Sequence, residues 1–211
     1  MTVALKRIGV LVSGGGSNLQ AIIDAVNQQE LPANIAVVIS NKSGVFALER
    51  AQNWRIPTLV IDHRQCSSSR EFSLAILQRL QEFQIDLVCL AGFLRILDPL
   101  LIQEFRGRIL NIHPALLPAF GGKGMYGHHV HEAVIASGAK FSGATVHLVT
   151  SETDIGPIVK QGMVTVSDED TADSLAAKVL QIEHQIYPQA IKLVLEDKLI
   201  FDGCRTRLKK Q

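Results

Sequence analysis

Short apolar runs alternate with amphipathic helical stretches up to about residue 137, and this alternation constrains the fold more than any other feature of the sequence. It is typical of a parallel sheet covered by helices on both faces. We therefore predict an α/β fold with a Rossmann-like, mostly parallel sheet. The predicted strands are Ile8–Val12, Ile35–Ser40, Thr58–Asp62, Asp86–Ala91 and Arg108–Ile112. The predicted helices are Ser17–Gln28, Val45–Asn53, Ser69–Phe83, Pro99–Phe105 and Val130–Ser137.

The pattern changes in the C-terminal part of the chain. Two apolar runs, Thr145–Val149 and Ile158–Val166, follow each other with a turn between them, which predicts a hairpin. A long final helix, about Thr171–Leu195, begins after Ser167–Asp170 as a capping region. With 211 residues, of which 47% are hydrophobic, the chain can bury one sizeable core. We expect one domain, 1–211, with parts at about 1–105 and 106–211.

Charge and cysteine content exclude several classes of protein. The net charge is +1 and the only basic block is the tail Arg205–Lys210, so we expect a solvated tail and no nucleic-acid binding. Cys66, Cys89 and Cys204 are far apart, which indicates neither disulfides nor a metal or redox motif. There is no membrane-spanning apolar run and no signal-peptide pattern at the N-terminus. We expect a soluble, cytoplasmic monomer or homodimer.

A glycine-rich loop, Ser13–Leu19, joins the first predicted strand to the first helix. Consecutive glycines let the backbone approach a ligand closely, and the helix start offers N–H groups and a favourable dipole to an anion. Ser17 is placed to cap the helix or to donate to a phosphate. Leu19 stands where a dinucleotide fingerprint has its third glycine, and no Walker lysine follows. The loop predicts a phosphate cradle, with a plain tight turn as the alternative.

Two polar side chains, Asn111 and His113, stand two residues apart at the exit of the fifth predicted strand. Such side chains project to the same side, at the strand end where α/β proteins usually bind ligands. The alternative is an ordinary polar strand end. Asp154 lies in a turn-rich segment, where we expect it to face His113, orient its imidazole and raise its pKa. Taken alone, Asp154 would be a solvated turn residue.

The loop Leu90–Pro99 leaves the fourth predicted strand and combines apolar residues with one arginine, Arg95. This composition suits a flat heterocyclic ligand, with a buried connection as the alternative.

Together these motifs resemble the folate-dependent formyltransferase family. The resemblance runs from the first strand to Tyr187-Pro188. It is carried by five stretches, Ser13–Ile22, Ser40–Lys42, Leu90–Leu97, Asn111–Pro118 and Asp154–Pro157. The Gly-Ser-Asn loop is similar to that of members that formylate glycinamide ribonucleotide in purine synthesis. The resemblance implies transfer of the formyl group of 10-formyltetrahydrofolate to the amine of that ribonucleotide, with these two small molecules as partners.

The resemblance also implies a role for each matching residue. The catalytic positions match Asn111, His113 and Asp154. The substrate-binding positions match Gly15, Gly16, Ser17, Asn18 and Glu183. The formyl-folate positions match Arg70, Leu94, Arg95, Ile96, Leu97 and again Asn111. The N-terminal part would then bind the nucleotide, and the C-terminal part would carry catalysis and folate binding.

One segment, Ala119–Glu132, departs from the family pattern because it is longer and richer in glycine and histidine. His128, His131 and Glu132 are spaced to share a helical face, which suggests zinc. No fourth ligand is placed, however, and formyl transfer needs no metal. We therefore predict no metal site.

Three other functions fit parts of the sequence. Formyltetrahydrofolate hydrolases share the Asn111, His113 and Asp154 positions but normally carry an N-terminal regulatory domain. Methionyl-tRNA formyltransferases add a C-terminal RNA-binding domain. We expect neither, because the chain begins at the first strand and only a short tail follows Leu199. A nucleotide-binding module without activity would explain the glycine loop but not the three polar residues.

Overall fold

The computed structural model describes residues 5–210. This part of the chain contains nine strands and six α-helices. The strands are β1 Lys6–Val12, β2 Ala33–Ser40, β3 Thr58–Val60, β4 Leu87–Leu90, β5 Ile109–His113, β6 Phe141–Leu148, β7 Ile158–Thr165, β8 Leu199–Asp202 and β9 Arg205–Leu208. The helices are α1 Ser17–Asn27, α2 Phe46–Asn53, α3 Ser69–Glu82, α4 Pro99–Glu104, α5 His128–Ser137 and α6 Ala172–Leu195. Residues 1–4 of the N-terminal stretch, in which we find no signal-peptide pattern, lie outside the described part.

The first seven strands form one sheet in the order β3-β2-β1-β4-β5-β6-β7, and β8 pairs with β9 in a separate hairpin. β1 pairs in parallel with β2 and β4, and β2 with β3, whereas β6 and β7 are antiparallel. The predicted α/β fold, with its mostly parallel sheet, C-terminal hairpin and long helix, is confirmed. The strand order reverses beside β1, and open α/β sheets bind ligands at such a reversal, outside the carboxyl ends of the strands.

The chain divides into two compact units, Met1–Leu110 and Asn111–Gln211. In the first unit β1 is apolar on both faces, as parallel strands between two helix layers are, and Val10 and Leu11 are fully buried. Helix α1 buries Leu19, Ile22 and Ile23, spaced three and four residues apart along one face. Each such side chain stabilises the fold by roughly 1.5–3 kcal/mol, which makes the sheet a firm support for the loops at its edge.

In the second unit the long helix α6 buries one of its faces. Leu175, Val179 and Ile186 are buried along it, and Tyr187 is fully buried although Pro188 follows it inside the helix. The helix begins after Thr171, whose hydroxyl accepts the N–H of the residue three positions later in a reciprocal capping box. No helix among residues 5–210 is both long and apolar enough to cross a membrane.

Several local predictions differ from the structure, and among the strands β6 differs most, because it begins at Phe141, four residues before its predicted start at Thr145. The third strand ends at Val60 because Asp62 caps a short 3-10 turn, accepting the N–H of Arg64 at 2.9 Å. Helix α5 begins two residues before its predicted start. The C-terminal tail is exposed, as predicted, but it is not frayed: it pairs as β9 with β8, and the pairing places Leu208 opposite the buried Leu199.

Candidate active site

Four polar side chains of the second unit form a connected group, here called the polar cluster: Asn111, His113, His147 and Asp154. The Asn111 amide nitrogen Nδ2 lies 3.1 Å from His147 Nε2. Asp154 then reaches both imidazoles, with Oδ1 3.6 Å from His147 Nε2 and Oδ2 3.6 Å from His113 Nδ1. The structure thus brings together the three residues that match the family's catalytic positions, and His147 links them.

Strand geometry and one close backbone approach position the polar cluster. Asn111 and His113 alternate along β5, and β6, which carries His147, is the next strand in the sheet. Asp154 follows β6 in a turn and has a left-handed backbone, φ +60°, which Asp tolerates better than most residues. A Cβ on Gly156 would lie 1.7 Å from the carbonyl oxygen of Leu148, so the turn can fold back onto β6 only with glycine there.

The two imidazoles of the polar cluster are buried, and the Asp154 side chain is 9% exposed. His113 is 4% exposed. Burial lowers the pKa of His113, and this outweighs the opposing effects of the Asp154 carboxylate and the Phe120 carbonyl. The expectation that Asp154 would raise the pKa of His113 is therefore wrong in net direction. Burial acts to raise the pKa of Asp154, but contacts with His147, the Gly122 N–H and His113 hold it below its ordinary value.

Hydrogen bonds define which nitrogen of each imidazole carries a proton. His113 Nε2 lies 2.8 Å from the carbonyl oxygen of Phe120, which can only accept, so Nε2 carries a proton and Nδ1 faces Asp154. His147 Nδ1 lies 3.0 Å from the carbonyl oxygen of Leu148, so in the neutral ring its Nε2 accepts from the Asn111 amide. His147 thereby orients Asn111.

Sequence reasoning did not assign a role to His147, nor to Thr145 two residues before it. The Thr145 hydroxyl donates to the Ala115 carbonyl at 2.6 Å and accepts the Leu117 N–H at 3.0 Å, so it ties the segment after His113 to β6. Both residues are 2% exposed or less. The available signal was a polar pair at i and i+2 within an apolar strand, the same pattern that marked β5.

In the first unit the glycine loop, Ser13–Leu19, is a close-packed turn that leads into α1. Gly16 has φ +72°, and a Cβ there would lie 2.6 Å from the Cβ of Ala47, so only glycine fits. Gly16 is also the N-cap of α1, and no side chain caps that helix end. Ser17 is therefore the first helical residue and not the cap, and the following Asn18 is buried. This arrangement favours the anion cradle over the plain turn.

One buried hydroxyl connects three loops at the carboxyl ends of the parallel strands. Ser13 follows β1, and its Oγ donates to Asn41 Oδ1 at 2.6 Å. The same Oγ accepts the backbone N–H of Leu94 at 2.9 Å. Asn41 follows β2 and Leu94 lies after β4, so the glycine loop and the loop of predicted folate contacts hold a fixed spacing within the first unit.

A cavity of about 440 Å³ lies beside the loop after β4. Leu94, Arg95 and Ile96, three of the predicted folate contacts, line it together with side chains from the start of α3, among them Phe72. Ile96 is 75% exposed, and such open apolar surface is typical of a binding groove.

The remaining predicted contacts lie elsewhere. Leu97 is buried, 5% exposed, and Arg70 is an exposed residue in the first turn of α3, outside the set that lines the cavity. Glu183 is buried on α6 in the second unit, 7% exposed.

The histidines of α5 are not arranged as a metal site. His128 lies 3.6 Å from Glu132 and 3.6 Å from Asp173 on an exposed surface, whereas His131 is buried. Among residues 5–210, no group of three or more histidine, cysteine, aspartate or glutamate side chains is placed to hold a metal ion.

Comparisons with known proteins agree with the geometry of the site. A family model described as formyl transferase matches residues 6–191. The phosphoribosylglycinamide formyltransferase of Haemophilus influenzae is 43% identical over 92% of this chain and 90% of its own length. The chloroplastic phosphoribosylglycinamide formyltransferase of Vigna unguiculata is 41% identical over 95% of this chain, which spans 64% of that protein.

A solved structure gives the same result for the fold. The glycinamide ribonucleotide transformylase 1 of Symbiobacterium toebii superimposes with a TM-score of 0.93 at 42% identity. The match covers 98% of this chain and 95% of the other. On the family match and these relatives, the chain belongs to the formyl transferase family.

Proposed function

We propose that this chain transfers the formyl group of 10-formyltetrahydrofolate to the amine of N1-(5-phospho-D-ribosyl)glycinamide. The products are formylglycinamide ribonucleotide and tetrahydrofolate, a step of de novo purine synthesis. The observation that carries the proposal is the polar cluster, which combines an oriented amide donor with an imidazole beside a carboxylate. The names of the relatives support the choice of acceptor.

The reaction develops negative charge that the polar cluster is suited to stabilise. The amine attacks the formyl carbon, a C–N bond forms, and the carbonyl electrons move to the formyl oxygen. The Asn111 amide has two N–H bonds. One donates a hydrogen bond to His147, and the other is free to donate to this oxyanion. One such donor lowers the barrier by about 3–4 kcal/mol.

The proton must then move from the attacking amine to the leaving nitrogen of the folate as the original C–N bond breaks. His113 is largely neutral before the reaction, because burial lowers its pKa. An oxyanion beside the ring favours its protonated form, and Asp154, ionised because its pKa is lowered, balances the imidazolium. Asp154 also orders the water that carries the proton. His113 and Asp154 therefore carry opposite charges only while the oxyanion is present.

Substrate binding is proposed separately for each unit. In the first unit, Gly15, Gly16, Ser17 and Asn18 bind the phosphoribosyl group through backbone and side-chain donors. The cavity lined by Leu94, Arg95 and Ile96 binds the folate. Arg70 and Leu97, which lie outside its lining, stay predicted folate contacts. In the second unit the nucleotide contact of Glu183 and the folate contact of Asn111 stay predictions, as do the absence of a metal, the single-domain organisation, a cytoplasmic location and a monomer or homodimer.

A two-tube assay tests the proposed function. Purified protein is mixed with 10-formyltetrahydrofolate, with and without glycinamide ribonucleotide, and the deformylated folate is followed by absorbance. Turnover only with the nucleotide is the expected result. Turnover without it would identify a hydrolase, and no turnover in either tube would require another acceptor. The same assay with His113→Ala, which should lose activity, controls for a contaminating enzyme.

A further inference from the structure

Helix α2 is packed against the glycine loop through main-chain and side-chain bonds. The backbone N–H of Ala47 donates to the Gly14 carbonyl at 3.1 Å. One turn later, Arg50 Nε donates to the Gly15 carbonyl at 2.9 Å. Two successive carbonyls of the loop are thus turned towards α2.

This arrangement determines the direction of two amide hydrogens. In a trans peptide the carbonyl and the following N–H point in opposite directions. Because the carbonyls of Gly14 and Gly15 face α2, the N–H groups of Gly15 and Gly16 face away from it. Successive N–H groups that end in a left-handed residue, here Gly16, form an anion-binding concavity.

The Arg50 guanidinium is itself held in place on three sides. Besides Gly15, it donates through Nη1 to Gln20 Oε1 on α1 at 3.2 Å. Its carbon Cζ lies 4.6 Å from the centre of the Phe46 ring, within cation–π distance. A planar guanidinium fixed by three partners cannot be replaced by lysine without losing part of this geometry.

We infer that Arg50 is a positioning residue for the phosphate group of the nucleotide. It turns the Gly15–Gly16 peptide so that the Gly16 N–H is presented to the phosphate, and it adds a positive charge behind the loop. The inference rests on the proposed function, because that function supplies the phosphorylated ligand. Arg50 touches no reacting atom, so its effect falls on nucleotide binding and not on the chemical step.

The test compares phosphorylated and unphosphorylated acceptors in matched variants. Arg50→Met removes both the charge and the planar guanidinium, whereas Arg50→Lys keeps the charge. Arg79→Met is the control, since Arg79 forms a surface ion pair with Glu82 on α3. The acceptors are glycinamide ribonucleotide and glycinamide riboside, which lacks the phosphate. Each variant is assayed for kcat and for KM of both substrates, and its folding is checked by thermal melting.

We expect Arg50→Met to raise KM for the ribonucleotide by about tenfold, the effect of one charge-assisted hydrogen bond, with kcat and KM for the folate changed by less than about twofold. Activity with the riboside should equal that of wild type, Arg50→Lys should recover part of the loss, and Arg79→Met should match wild type. An equal loss with both acceptors, or no loss with either, would overturn the inference. If Arg50→Met does not fold, the same comparison with Arg50→Lys decides.

A separate measurement distinguishes failure of this inference from failure of the proposed function. If wild type shows no transfer to the ribonucleotide, the proposed function fails, and inorganic phosphate is titrated into wild type and Arg50→Met by calorimetry. Weaker phosphate binding by Arg50→Met would then uphold the role of Arg50. Equal affinity in the two proteins would refute it.

Discussion

The polar cluster of the second unit is built from side chains, whereas the glycine loop of the first unit is built from main-chain groups. In the polar cluster, Asn111, His113 and Asp154 each present a specific donor or acceptor. Burial lowers the pKa of His113, whereas contacts with neighbouring groups lower that of Asp154. In the glycine loop, the proposed donors are mainly backbone amides, and Arg50 contacts the loop through the Gly15 carbonyl. The difference predicts that the polar cluster governs turnover and the loop governs binding.

The largest effect is expected from Asp154→Asn. The amide keeps the size of the carboxylate but can no longer balance an imidazolium at His113, so kcat should fall by about a thousandfold. KM for the nucleotide should change by less than about threefold, and the circular dichroism spectrum should match wild type. Steady-state kinetics with both substrates measure this. Near-wild-type turnover in a folded variant would break the assignment of the polar cluster to the chemical step.

A substitution in the glycine loop should give the opposite pattern. Gly16→Ala places a Cβ 2.6 Å from the Cβ of Ala47 at φ +72°, so the loop must shift. We expect KM for the nucleotide to rise by about thirtyfold and the free energy of unfolding to fall by about 2 kcal/mol, with kcat little changed. Kinetics and urea unfolding measure the two effects. Gly14→Ala is the control, because nothing lies within 4 Å of its added Cβ. A fall in kcat with unchanged KM would contradict the comparison.

A smaller effect on turnover is expected from His147→Ala. Removing the imidazole leaves the Asn111 amide without its 3.1 Å partner, so the oxyanion donor loses its orientation and kcat should fall by about tenfold. His129→Ala, which removes an exposed imidazole on α5, is the matched control and should leave kcat unchanged. Combining His147→Ala with Asn111→Ala sharpens the comparison. If His147 acts through Asn111, the double variant should be no slower than Asn111→Ala alone.

The smallest effect is a pH dependence of stability. The ordinary pKa of histidine is 6.5, and burial lowers that of His113 in the folded chain. The unfolded chain therefore binds more protons, so the stability contributed by neutral His113 is present above pH 6.5 and is lost as the pH falls through the folded pKa. Urea unfolding between about pH 7.5 and 5 should show a smaller loss for His113→Gln than for wild type. Burial also lowers the pKa of His131, so the free energy of unfolding still depends on pH in both proteins. Identical slopes would argue against a neutral, buried His113.

The sequence was informative where the cause is local. The parallel sheet follows from apolar runs that a reader can count, and the pairing of Asn111 with His113 follows from the two-residue period of a strand. The relation of Asp154 to His113 spans 41 positions along the chain. The turn-rich segment left a solvated turn residue open as the alternative, and the family resemblance favoured the contact.

What sequence reasoning missed depends on tertiary contacts. His147 is one imidazole in an apolar strand, and only its bond to Asn111 gives it a role. Arg50 is one of two charged residues on the short helix α2, and only its bond to the Gly15 carbonyl gives it a role. The direction of the His113 pKa depends on how deeply the ring is buried, which no local pattern encodes. The final strand was missed because its two arginines and the two lysines that follow it indicate a solvated tail.

The glycine at position 156, two residues after Asp154, has a consequence for evolution. Gly156 performs no chemistry, yet its missing side chain lets the turn lie against the Leu148 carbonyl and places Asp154 among the imidazoles. Selection on activity should therefore act on position 156 almost as strongly as on the carboxylate itself. In a library with every amino acid at each position, only glycine would be accepted at position 156. Ile155, which lies between Asp154 and Gly156 and is 58% exposed, would accept many replacements.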